Sequence, residues 1–277
     1  MGPPFSVLGH AYLGWSNQAA QDRPLAMERI RADLLLVARG LIATRAKARE
    51  AIESGLVRSG DRIIAKPSEL LEPDCPLTAQ LAYHWVSRAG LKLIAALDAF
   101  GIMATDRYAL DIGASTGGFT QVLLSRGAAH VVAVDVGRDQ LDASLRDNPA
   151  ITSLEGTDAR NLRPEDLGEP VPDLVVIDVS FIGLEKILPS VLPLVAPSAD
   201  LVALVKPQFQ AGPARVGKRG LVDPAVAAVI SEEVRHELDG LCGFKVLGLI
   251  ESPIAGGDGN REYLLHARRV AQDSAAL

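Results

Sequence analysis

The chain has 277 residues, of which 48% are hydrophobic and 4% aromatic, with a formal net charge of −6. That length holds a full α/β domain plus a small second one. No apolar run reaches the roughly 18–20 residues of a membrane span, and a start interrupted by Pro3, Pro4, Gly9 and His10 does not read as a signal peptide. Two cysteines, Cys75 and Cys242, form neither a disulfide framework nor a metal site, so no metal is expected and a reducing, cytoplasmic setting is. The net charge argues against a uniformly basic nucleic-acid binder. It hides an asymmetry: residues 28–66 hold nine Lys/Arg against five Asp/Glu, so the −6 divides into +4 there and −10 elsewhere. A basic head on an acidic body suggests one module that meets a polyanion.

Residues 1–26 mix Gly, Pro, Asn and Gln without periodicity and read as a poorly ordered extension; recognisable pattern starts after Met27. From Arg29 the pattern is helical, with Ile30, Leu34 and Val37 on one face and Gly40 as the stop. Thr44 suits the N-cap of a second helix that ends at Gly55. On it Arg45 and Arg49 share a face, with Lys47 half a turn round. Leu56–Arg58, a Ser59-Gly60 turn and Arg62–Ile64 read as a hairpin, and Lys66-Pro67 closes the unit.

After a proline-punctuated stretch comes Val86-Ser87-Arg88-Ala89-Gly90 and a helix from Leu91 to Leu97, in which Lys92 interrupts apolar neighbours. A lysine at such a place is ordinarily just exposed. Tyr108–Ile112 is a strand, followed by the glycine bend Gly113-Ala114-Ser115-Thr116-Gly117-Gly118, a helical run from Phe119, and a second strand, His130–Val134, stopping at Asp135. Strand, tight turn, helix, strand and acid make the first unit of a doubly wound, Rossmann-like nucleotide fold. Glycines there let the backbone approach a ligand, and the acid about 20 residues on is where such folds hold a ribose diol. The spacing is not GxGxxG, which disfavours a dinucleotide. Ile151–Leu154 is a third strand, with Thr157-Asp158-Ala159 where a base-binding loop would lie. Asp173–Ile177 is a fourth, ending at Asp178, and Leu201–Val205 a fifth, ending at Lys206. Helix 224–239, a sixth strand near Phe244–Ile250, the turn 256–260 and a seventh strand through Arg261–Leu265 complete a mostly parallel sheet with one antiparallel strand. Asp111, Asp135, Asp178 and Lys206 then fall at the carboxyl ends of strands, where ligands of open sheets bind. A lysine there needs a carboxylate neighbour, and Asp178 and Glu262 are the candidates.

The basic head, with RxDLLL at 31–36, GLxxTRxxAxxxIxxGxV at 40–57 and Lys66-Pro67, resembles the S4 RNA-binding domain. Three basic residues alone would fit a solvated helix face; the whole pattern points to phosphate contacts in RNA. Residues 28–268 resemble the TlyA family, which joins an S4 domain to an FtsJ-type RNA ribose 2′-O-methyltransferase domain. The matching segments are VSRAGLKL (86–93), DIGASTGGFT (111–120), AVDVGRDQL (133–141), DVSFI (178–182), KPQF (206–209) and GNREYLL (259–265).

That resemblance implies an α+β S4 domain over residues 27–84, a Rossmann-like methyltransferase domain over 85–270 and a tail over 271–277. It implies a catalytic tetrad of Lys92, Asp178, Lys206 and Glu262. It also implies S-adenosylmethionine as cofactor, held by Asp111, Gly113, Ala114, Ser115, Gly117, Gly118 and Phe119, by Asp135 and Val136 at the ribose, and by Asp158 and Ala159 at the adenine. RNA contacts would fall on Arg31, Arg45, Lys47, Arg49 and Arg88, with ribosomal RNA or ribosomal subunits as partner and a cytidine as target. The family usually reads KPQFE; here Gln210 replaces the acid, which bears on local RNA positioning more than on the tetrad. A non-catalytic ribosome assembly factor is the alternative. Haemolysin, a name the family has carried, is the third reading, and no membrane-inserting stretch supports it.

Overall fold

The computed structural model describes residues 28–270; the expected N-terminal extension and C-terminal tail lie outside the described residues. The chain divides into two units, one up to His84 and one from Trp85.

The first unit packs two helices, Ala32–Ala38 and Arg45–Glu53, against short strands. Val57–Ser59 pairs with Arg62–Ile63 and with Thr78–Ala79, and Ile30–Arg31 pairs with Leu70–Leu71. Thr44 caps the second helix, its hydroxyl accepting from the Lys47 amide at 3.3 Å. The core is Leu35, Leu36, Ile42, Ile52, Val57 and Ile64. The face anticipated for the first helix is displaced: Leu34 is exposed while Ala32, Asp33, Leu35 and Leu36 are buried. The helix begins only at Ala32, and Asp33 turns inward to receive two arginines, which rotates the apolar stripe by one residue.

The second unit is built on a seven-stranded sheet, its elements labelled within that unit. The strands are β1 (Tyr108–Ile112), β2 (His130–Asp135), β3 (Ile151–Glu155), β4 (Leu174–Ile177), β5 (Ala199–Val205), β6 (Lys245–Glu251) and β7 (Tyr263–Arg269). Their spatial order is β6-β7-β5-β4-β1-β2-β3. β7 alone runs against the other six strands, pairing antiparallel with β5 and β6, as the strand pattern anticipates. Every residue of β4 and β5 is buried, the mark of strands covered on both faces. Alternation sorts side chains between two cores: Leu110, Ile112, Val175, Ile177, Leu201 and Ala203 point to one. Ala109, Val131, Val176, Val202 and Leu204 point to the other.

Three helices position the groups at the carboxyl edge of this sheet. Helix α1 (Ala89–Phe100) ends at Gly101, whose φ of 65° is the left-handed stop glycine supplies. Helix α2 (Gly118–Ser125) starts from Gly117 at φ 91°. Helix α3 (Pro224–Leu238) is capped by Asp223, which accepts from the amides of Ala225 and Val226. Helices α1 and α2 send Leu93, Leu97, Phe119 and Val122 into the second core, and α3 sends Ile230 and Val234 into the first.

Candidate active site

The glycine bend leaves β1 at Ile112 and doubles back under β2. The amides of Gly113 and Ala114 both donate to the carbonyl of Val134, at 2.8 and 3.1 Å. Gly113 has φ 81°, and a Cβ there would run into the carbonyl of Asp178, so this crossing of β1 and the β4 loop admits only glycine. Beside the bend lies a cavity of about 500 Å³, within the range of cofactor pockets. Of the residues expected at a cofactor, Gly113, Ser115, Asp135, Val136, Asp158 and Ala159 line it. Ala114 and Phe119 are buried in the turn and the core, and Gly118 packs so closely on Ser87 that a Cβ would collide with its hydroxyl. Residues the sequence reading did not single out also line the cavity: Gln140, Arg160, Ser180, Phe181 and Ile187.

Asp135 is held flat at the tip of β2, one oxygen accepting from the Ser115 amide at 2.8 Å and the other from the Gly137 amide at 2.7 Å. Each oxygen keeps a lone pair for a hydroxyl donor. Asp158 ends the facing loop, and its carboxylate is engaged by the backbone and guanidinium of Arg160. An exposed apolar Val136 stands between the two acids in sequence and on the cavity wall. An acid for a diol, apolar walls for a base and a glycine bend form a donor set that fits S-adenosylmethionine.

Asp111 lies beneath the bend and off the cavity wall, fully buried. It accepts from the Thr120 hydroxyl at 2.6 Å, and its second oxygen has no hydrogen-bond partner. Burial pushes its carboxyl up to about 7, with Asp178 and Asp135 adding to the rise and Thr120 opposing it. Between the unfolded value near 4 and about 7, the native state therefore binds a proton that the unfolded chain has lost. Stability falls as pH rises through that window and levels off above it. Asp111→Asn should remove this slope. Denaturation of both proteins from pH 5 to 8 checks it: the wild-type minus variant difference should decline with pH, and a constant difference would refute it.

Two ion pairs flank the cavity side of the sheet. Asp178 follows β4 directly, and Lys206 follows β5. The Lys206 amine lies 2.7 Å from Asp178 Oδ1 and donates to Ser180 Oγ at 2.8 Å. Of the two carboxylates the sequence offered to Lys206, the structure selects Asp178. Lys92, on the first turn of α1, is 5% exposed rather than on the solvent face, and its ammonium pairs with Glu262, itself 3% exposed. The expectation of an exposed lysine fails because β7 brings a carboxylate from 170 residues away to meet it. Lys92, Asp178, Lys206 and Glu262 are thus arranged as two pairs.

Phe181 sits next to Ser180 with φ 66°, is 89% exposed, and its ring centroid lies 5.0 Å from that of Phe209. A left-handed non-glycine residue costs about 1–2 kcal/mol, and such strain gathers at functional sites. In the sequence, Phe181 is marked only as an aromatic residue just beyond Asp178, a weak signal. The Gln210 amide, oriented by its neighbours, donates to Glu185 Oε2 at 3.1 Å, and its oxygen accepts from the Leu184 amide at 3.0 Å. A carboxylate there would face that of Glu185, so the neutral side chain is the compatible one in this chain.

In the first unit, Asp33 is wholly buried and takes Arg31 at 2.9 and 3.0 Å and Arg45 at 2.9 Å. The Arg31 hydrogen bond leads the causes that hold its carboxyl down at about 2. Among the described residues no carboxylate pairs with Lys47 or Arg49. Arg88, at the head of α1, rests its guanidinium on Gly257.

The model of FtsJ-like methyltransferases matches residues 85–269, and that of the S4 domain residues 30–74. A similar protein is the 16S/23S rRNA (cytidine-2′-O)-methyltransferase TlyA of Mycobacterium tuberculosis, 46% identical over 87% of this chain and 90% of that protein. Hemolysin A of Brachyspira hyodysenteriae is 37% identical over 86% of this chain and 99% of that protein. A solved structure from Streptococcus thermophilus, also named as a hemolysin, is 40% identical and superposes with a TM-score of 0.69 over 88% of this chain and 90% of that one.

Proposed function

We propose a function that starts from one fact: this chain belongs to the FtsJ-like methyltransferase family and carries an S4 domain. It transfers a methyl group from S-adenosylmethionine to the ribose 2′-hydroxyl of a cytidine in ribosomal RNA, the activity named for its TlyA relative. The observation that carries the residue roles is a junction. Asp178 and Ser180 line the cofactor cavity and also hold the Lys206 amine at 2.7 and 2.8 Å.

The cofactor supplies a methyl group already activated on a sulfonium, so the protein's task is alignment. Asp135 takes the cofactor's ribose hydroxyls, Val136, Ala159 and Ile187 wall its adenine, and the Gly113–Ser115 bend passes its methionine end. A ribose hydroxyl is a poor acid, and Lys206 is placed to take its proton or to stabilise the charge left on the oxygen. Asp178 and Ser180 fix that amine, while Lys92 and Glu262 brace the opposite side. Phe181, exposed and strained, offers a stacking face for the target base. Arg31, Arg45, Lys47 and Arg49 of the 27–84 unit, together with Arg88, contact RNA phosphates. Asp33 holds two of these arginines in place. The protein works in the cytoplasm, on ribosomal RNA or a ribosomal subunit.

A tritium-methyl transfer assay on 16S and 23S rRNA, on subunits and on whole ribosomes, with the product mapped, tests this reading; label on a cytidine 2′-oxygen is expected. Cofactor binding without transfer to any of them would favour the assembly-factor alternative. A haemolysin gains nothing from the fold, since no helix among the described residues is long and apolar enough to cross a membrane.

Asp135→Asn should raise the calorimetric Kd for S-adenosylmethionine by about tenfold, the worth of one hydrogen bond to a charged group. The asparagine keeps one acceptor oxygen for the bend. An unchanged Kd would move the ribose elsewhere.

A further inference from the structure

The loop between Gln210 and α3 carries three cations, Arg215, Lys218 and Arg219. Arg215 is committed to α3 through Glu233, at 2.6 Å. Lys218 and Arg219 are exposed, and no carboxylate pairs with either among the described residues. They sit at the tip of a tight turn closed by the Gly217 amide donating to the Leu221 carbonyl at 2.7 Å. Arg219 has φ 64° and ψ 20°, a left-handed conformation that glycine would adopt without strain.

The turn is not a loose surface loop. Asn260, 2% exposed, accepts from the Val222 amide at 2.9 Å and donates to the Gly220 carbonyl at 2.9 Å and to Asp258 at 2.8 Å. Asp258 in turn accepts from the Gln208 side chain at 3.1 Å. Gln208 is two residues beyond Lys206, and Asn260 two residues before Glu262. One buried amide therefore fastens the turn to the segment before Glu262 and, through Asp258, to the one after Lys206, two of the four that carry tetrad residues. Two adjacent, unpaired cations on a rigid turn repel one another, and one of them also bears backbone strain. On a unit that is acidic in balance, this arrangement leaves two positive charges open to an anion from outside.

We propose that Lys218 and Arg219 bind the phosphate backbone of the substrate RNA beside the target ribose, a second anchoring point on the methyltransferase unit. This rests on the reading of the chain as an RNA 2′-O-methyltransferase. Contacts of this kind position the strand and carry no sequence information.

The test is a salt series of binding to the methylated rRNA, read for the full-length wild type and for Lys218→Ala combined with Arg219→Gly. Glycine keeps the left-handed turn, so a loss cannot be assigned to its collapse. The log–log slope should fall by about 0.7 per lost contact, about 1.4 for the pair. KM for RNA should rise several-fold, with kcat at saturating RNA and the Kd for S-adenosylmethionine within about twofold. An unchanged slope and KM would overturn the proposal. So would a KM rise confined to intact subunits with binding of naked RNA unaltered, which would place the contact on a ribosomal protein. A changed slope in a protein whose wild type transfers no methyl group would support the contact and overturn the functional reading instead.

Discussion

Lys206→Ala is expected to lose methyl transfer by about 10²–10⁴-fold, with the calorimetric affinity for S-adenosylmethionine nearly unchanged. The amine makes its two close contacts to Asp178 and Ser180, at 2.7 and 2.8 Å, and does not itself line the cavity proposed for the cofactor. Removing it should therefore spare the cofactor and damage the chemistry. Lys206→Arg separates the two ways an amine can serve. A guanidinium keeps the charge but cannot accept a proton. If proton acceptance dominates, Lys206→Arg should be almost as inactive as the alanine variant. A purely structural ion pair predicts something else: a lower Tm, with methyl transfer retained at low temperature. Wild-type-like transfer by Lys206→Ala would remove this lysine from the mechanism.

Much of this arrangement is legible in the amino-acid sequence alone. Runs such as Leu174–Ile177 and Leu201–Val205 have the continuous apolar character of strands covered on both faces, and each stops at a charge. The glycine bend is legible because Gly113 and Gly117 are required by positive φ, a constraint that acts within a few residues. What the sequence hides is pairing over distance. Lys92 reads as solvent-exposed because its neighbours say nothing of Glu262, which reaches it only once β7 has inserted beside β5. Arg31 and Arg45 read as free cations because Asp33, which anchors both, belongs to an apolar-looking stripe. Asp200 is similar, buried at the start of β5 with His266 and Arg268 of β7 and Arg107 around it. Asn260 is the sharpest case: an asparagine in a glycine-rich turn suggests a turn residue, yet it is buried and joins its turn to residues 220–222 directly and to Gln208 through Asp258. Period and turn chemistry are local properties, while hydrogen-bond partners belong to the folded topology.

The second large effect concerns the Lys92–Glu262 pair. Removing one partner of a buried ion pair leaves an uncompensated charge, which costs about 3–5 kcal/mol. Lys92→Ala or Glu262→Ala alone should therefore lower stability by that amount in denaturant titrations at pH 7. Replacing both by apolar residues of similar volume, Lys92→Met with Glu262→Met, removes the stranded charge and should restore most of the loss. Activity is expected to take a different course. If the pair braces the reaction centre, the double variant should be folded, bind S-adenosylmethionine, and still fail to methylate rRNA. Stability and turnover would then be separated in one molecule. A folded double variant with wild-type turnover would reduce this pair to a structural role and leave the chemistry to Lys206, Asp178 and Ser180. The comparison is informative because the two lysines face different surroundings. Lys92 meets a carboxylate that is 3% exposed, whereas the partners of Lys206, Asp178 and Ser180, both open onto the cavity. In the proposed mechanism, the charge that changes during the reaction is therefore the one at Lys206, and the charge that stays fixed is the one at Lys92.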